Sequence, residues 1–165
     1  MHFTTFISLA LALASSTLVT SAPVADPAPA ELSKRAIEVV YLTRCLVGSS
    51  QSGFTQYQQE MAYYSDINAS QAGQVPSYNN RAVFNTVPYG GAPPLYVGTK
   101  SGLFPTGVTF RSVIAADGYQ KFVGVAAGTG DNGYHSNWVC KRDSTRLLYE
   151  IPGSRYCQAE FYCQH

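Results

Sequence analysis

From Ile37 onward the chain is cut into short runs of β-branched and aromatic residues by clusters of glycine and proline. IEVVYLT (37–43), AVFNTV (82–87), LYVG (95–98), VTFRSVI (108–114), KFVGVAA (121–127), NWVCK (137–141), RLLYEI (146–151) and the tail YCQAEFYC (156–163) have the composition of strands. PYGGAPP, GTKSGLFPTG, ADG, GTGDNG and IPGS lie between them and carry turn chemistry. Strands so closely spaced leave no room for the crossover helices of a βαβ fold. The expectation is an all-β protein, or a mainly β one with one short helix, built as a small disulfide-stapled sandwich or barrel. The helical candidate is FTQYQQEMAYYS (54–65), in which Phe54, Tyr57, Met61 and Tyr64 recur at helical spacing, although MAYYS would also serve as a strand.

The cysteines constrain this further. Cys45, Cys140, Cys157 and Cys163 are an even set and lack paired CxxC or HxxxH spacing, so they read as two disulfides and not as a metal site. In the tail, Cys157, Ala159, Phe161 and Cys163 alternate with Tyr156, Gln158, Glu160 and Tyr162, the pattern of a strand with one apolar face. Positions six apart on a strand lie about 20 Å from each other, beyond disulfide reach, so Cys157 and Cys163 do not bridge each other. Cys45–Cys163 with Cys140–Cys157 is the preferred pairing, because it ties the two ends of the domain together; the crossed pairing stays open.

Ahead of this region stands MHFTTFISLALALASSTLVTSA, whose apolar run is the length of a signal-peptide core and too short to span a bilayer. Residues 1–22 are therefore expected to be a signal peptide. PVADPAPAELSKR (23–35) is rich in proline and alanine and has no aromatic residue; it reads as a disordered pro-segment that presents Lys34 and Arg35 to a processing protease. The mature protein then runs from Ala36 to His165 as a single domain, secreted and extracellular. Its near-neutral charge, +1 for the whole chain, argues against a nucleic-acid binder, and no basic amphipathic segment points to a membrane. Asn68-Ala69-Ser70 is a candidate glycosylation site.

No motif announces catalysis. His135 lies in the turn GYHSN, no GxSxG elbow frames a nucleophile, and disulfide-committed cysteines offer no thiolate. GVAAGTGDNG (124–133) lacks the lysine and following helix of a phosphate loop and reads as a hairpin turning at Asp131, Asn132 and Gly133. No cofactor is implied. Tyrosines are plentiful, and exposed ones favour recognition surfaces and stacking on sugars or peptides.

Signal peptide, pro-segment ending in Lys-Arg, even cysteines and abundant tyrosine together resemble the layout of the small secreted cysteine-containing effector and elicitor proteins of fungi. The resemblance implies a non-catalytic protein that binds a host or competitor protein or glycan, or is detected by host immunity. A second, local resemblance is carried by PSYNNRAVF and FVGVAAGTGDNGYHSNWVC, which are similar to parts of the guanyl-specific fungal ribonucleases. It implies that Tyr78, Asn79 and Asn80 form a base-holding loop. Pro76 and the Ala127–Gly130 stretch stand where that family carries its catalytic histidines, so the resemblance points to binding without turnover. Tyr78, Asn79, Asn80, Tyr134 and Trp138 are the candidate binding residues. A secreted hydrolase and an antimicrobial toxin are the alternative functions.

Overall fold

The computed structural model describes residues 36–49 and 53–165. The expected signal peptide, the pro-segment, Lys34 and Arg35 lie outside the described residues. The chain forms β1 (Val39–Ser49), β2 (Gly53–Tyr64), a short helix α1 (Ile67–Gln71), β3 (Arg81–Pro88), β4 (Gly98–Leu103), β5 (Thr109–Ile114), β6 (Ala126–Asp131), β7 (Trp138–Arg142), β8 (Leu147–Ile151) and β9 (Arg155–Gln164). All pairings between these strands are antiparallel, in the order β3-β2-β1-β9-β7-β6-β5-β4, with β8 added to β9 beside β7. The end strands β3 and β4 come back against each other, so the sheet nearly closes into a barrel. The closure is tight: a Cβ on Gly102 of β4 would lie 2.9 Å from Met61 Sδ and 3.1 Å from Ala82 Cβ.

The mainly β expectation and the single short helix hold, but the helix is not where helical spacing placed it. Residues 54–65 are strand β2 up to Tyr64, hydrogen-bonded to β1 on one side and β3 on the other. A strand flanked on both edges and buried on both faces, as Gln59, Glu60, Met61 and Ala62 are, has no period-two signature, so an accidental helical spacing stood out instead. The helix follows at Ile67, where Asp66 caps it by accepting the Asn68 N–H at 2.9 Å.

Three further boundaries differ from expectation. Of LYVG only Gly98 enters a strand, and the rest of β4 comes from GTKSGL, which reads as a turn. KFVGVAA is mostly a turn, because Gly124 takes a positive φ of 82° there, and Phe122 is left 86% exposed. The glycine-rich stretch, in contrast, is itself strand β6. Its glycines are needed for close approach. A Cβ on Gly128 would lie 2.1 Å from the Val113 carbonyl oxygen, and one on Gly130 would lie 2.5 Å from Phe110 Cζ.

Two apolar clusters result. Val40, Leu42, Met61, Tyr96, Phe110, Trp138 and Phe161, among others, fill the barrel interior. Val39, Tyr41, Ala62, Leu148, Tyr149 and Ala159 form a second cluster on the opposite face of β1, beneath β8 and α1. The disulfides are Cys45–Cys157 and Cys140–Cys163, one in each cluster, which corrects the preferred pairing. Cys45 sits opposite Cys157 in the β1–β9 ladder and Cys140 opposite Cys163 in the β7–β9 ladder, with Cα separations of 4.0 and 3.9 Å. Because β9 runs antiparallel to β1, Cys163 lies beside the start of β1, far from Cys45.

Candidate functional site

A cleft of about 290 Å³ opens at the mouth of the barrel. Val40, Phe104, Phe110 and Trp138 form its apolar lining, while Glu38, Tyr63, Asn79, Asn80, Asn132 and Tyr134 supply polar groups. Trp138 begins β7, 1% exposed, edge-on to the Phe110 ring at 5.3 Å over Gly130. Its indole N–H is buried and has no hydrogen-bond partner among the described residues. An unpaired buried donor costs about 1–3 kcal/mol, so a ligand acceptor reaching it would recover that loss.

The polar rim is held by local turn chemistry. Asn132 Oδ1 accepts the backbone N–H of Tyr134 at 3.0 Å and of His135 at 2.7 Å, which leaves its NH₂ group to donate. Asp131 Oδ1 accepts from the Gly133 N–H at 2.6 Å, and the Gly133 φ of 82° completes the expected turn. That turn presents Tyr134, 80% exposed, at the edge of the cleft. Opposite it, Tyr78–Asn80 forms a single 3₁₀ turn with the Asn80 N–H donating to the Ser77 carbonyl at 3.0 Å. Burial, and after it the Glu38 carboxylate, raises the Tyr63 phenol above its usual 10, so this hydroxyl stays a donor at neutral pH. His135 stacks on His165 at 4.6 Å, and the His165 ring meets Trp138 edge-on, also at 4.6 Å. His165 Nε2 lies 3.8 Å from Glu38.

Of the five candidate binding residues, Asn79, Asn80, Tyr134 and Trp138 thus line one cleft. Tyr78 does not. It lines a second cleft of about 230 Å³ with Glu60, Arg81, Ala82, Val83, Leu103, Pro105 and Arg155. Neighbouring residues of the same two segments face opposite ways: Asn79, Asn80, Phe104 and Thr106 into the first cleft, Tyr78, Arg81, Leu103 and Pro105 into the second. The 78–81 and 103–106 segments are therefore the wall between them. Asn68 is exposed on α1, while Ser70 of the same sequon is buried, its hydroxyl 2.7 Å from that of Tyr41.

No known protein family matches this chain, and neither does any curated protein or solved structure. The chemistry must be read from the side chains themselves. Two buried glutamates stand out. Glu60, 0% exposed, accepts from the Tyr149 hydroxyl and from Arg155, whose other terminal nitrogen donates to Gln58 Oε1 at 2.7 Å. Glu160 accepts from the Tyr119 hydroxyl and lies 3.4 Å from Arg44. Burial raises both carboxyl pKa values, opposed for Glu60 by Tyr149 and the two arginines and for Glu160 by Tyr119 and its own arginines. Glu60 also lies within 4.8 Å of the Cys45 and Cys157 sulfurs, but those are joined to each other and offer a metal no thiolate.

Sequence reasoning did not single out Glu60 from the other carboxylates and passed over Arg81 and Arg155. Glu60 and Arg155 are 95 residues apart, and no local pattern links them. Asn132 was within reach, since it belongs to the turn whose tyrosine was singled out.

Proposed function

We propose that the protein is a secreted, effector-like or elicitor-like recognition protein that binds a host or competitor glycan or peptide in the aromatic cleft. One observation carries this reading: Trp138, whose buried N–H has no partner among the described residues, lines a cleft together with Asn79, Asn80, Asn132 and Tyr134. Aromatic faces with converging amides suit rings that stack and carry hydrogen-bonding substituents, as sugars and aromatic side chains do. The two disulfides fit an oxidising compartment, and no helix among the described residues is long and apolar enough to cross a membrane. Secretion with removal of the pro-segment predicts a protein in the culture medium that begins at Ala36.

Trp138 is the chain's single tryptophan, so its fluorescence reports directly on the cleft. Cell-wall oligosaccharides and aromatic peptides are titrated against the secreted protein and against Tyr134→Ala with Asn79→Ala. A saturable change in the wild type, lost in the double variant, is the expected result. In parallel, the folded, reduced and double-variant forms are infiltrated into plant leaf tissue. Defence or cell death is expected from the folded wild type alone, and an equal response to the double variant would place the activity elsewhere.

A further inference from the structure

We propose that the second cleft binds an oxyanion group, a carboxylate or a phosphate, held by the Arg81 guanidinium. Arg81 opens β3 opposite Ala62, so the ladder holds its backbone whether or not its side chain finds a partner. Among the described residues its buried Nε–H has no hydrogen-bond partner, and no carboxylate lies within ion-pair distance of the guanidinium. The Nε and Nη donors of a guanidinium form a planar fork that matches two oxygens of a carboxylate or phosphate.

The other charged groups in the cleft leave this role to Arg81. Arg155 is committed to Glu60 and Gln58, and Glu60 is taken by Arg155 and Tyr149. Glu60 attracts Arg81 from beyond ion-pair distance as well as pairing with Arg155, and the lining holds two guanidiniums against one carboxylate, a net positive charge. At the mouth, Tyr78 is 74% exposed and presents a hydroxyl that can donate to the same oxyanion. None of these residues lines the aromatic cleft, so this proposal stands or falls separately from the recognition reading.

The test is calorimetric titration of the secreted protein with inorganic phosphate and, separately, with acetate, at constant ionic strength set by chloride. Saturable binding of phosphate, of acetate or of both is expected, and which of them binds identifies the oxyanion. Arg81→Gln is expected to weaken that binding at least about tenfold, and Arg81→Lys, which keeps the charge but loses the fork, to weaken it nearly as much. Folding of each variant is verified by its melting transition, and Arg81→Lys is read alone if Arg81→Gln does not fold. Absence of saturable binding by both anions, or binding undiminished in the folded variants, overturns the proposal.

Discussion

Cys157 and Cys163, six residues apart on β9, project to opposite faces of that strand. Cys157 is opposite Cys45 and Cys163 opposite Val40, and those two β1 residues point to different faces. The switch occurs at Glu160, the extra residue of a bulge where β9 passes from Ala159, opposite Thr43, to Phe161, opposite Leu42. One apolar stripe in sequence therefore feeds two cores, and each core receives one disulfide.

The connectivity is checked by mapping the unreduced protein. Cleavage after Glu160 in denaturant separates the two tail cysteines. Cleavage after Glu150 as well leaves a 151–160 fragment, which is expected to stay linked to the peptide carrying Cys45, and the 161–165 fragment to the one carrying Cys140. The Cys45–Cys157 bond spans 112 residues of sequence and the other 23. By loop-closure entropy, replacing the first pair with serine costs about 5 kcal/mol and the second about 3 kcal/mol. Urea unfolding of the two double variants gives that order.

Gly128→Ala is expected to destabilise by about 3 kcal/mol or more, since its Cβ would meet backbone, the Val113 carbonyl oxygen at 2.1 Å, and a backbone cannot rotate away. Thr129→Ala, at the exposed neighbouring position, is expected to stay within about 0.5 kcal/mol of wild type. Equal losses at the two positions would refute the close β5–β6 approach.

Tyr119 ties the segment before β4 to β9: its hydroxyl donates to Glu160 and accepts the Tyr96 N–H at 3.1 Å. Tyr119→Phe leaves an amide and a carboxylate oxygen unpaired and is expected to cost about 2 kcal/mol. Faster hydrogen exchange at the Tyr96 amide would locate the loss, and unchanged exchange there would argue against the tie.

Stability is expected to fall as pH rises from mildly acidic to neutral. Glu60 and Glu160 have folded-state pKa values raised above their usual 4.5 by burial. Between the unfolded and folded values the folded state binds more protons, so their contribution is full below 4.5 and is lost as pH passes through the raised values. Melting temperature followed from about pH 4.5 to about pH 7.5 gives the slope, and Glu60→Gln should flatten it. An unchanged slope in that variant would mean that Glu60 is not the group responsible.

Strand composition and glycine-proline punctuation determined the β architecture, because both act through neighbouring residues. Asp131, Asn132 and Gly133 marked a turn for the same reason, and the even cysteines marked two disulfides. Tyr78, Asn79 and Asn80 were legible as a group, yet the 3₁₀ turn divides them between two clefts. What the sequence by itself could not determine depended on register. A single bulge at Glu160 reverses which side chains face which core, and it leaves no mark on period-two alternation. The glycines of β6 read as a loop because the Phe110 ring and Val113 carbonyl that require them lie on another strand. Glu60, Arg81 and Arg155 come to line one cleft only once the strands have paired. A pair 95 residues apart is brought together by ladder pairing and closure, and tertiary structure alone decides it.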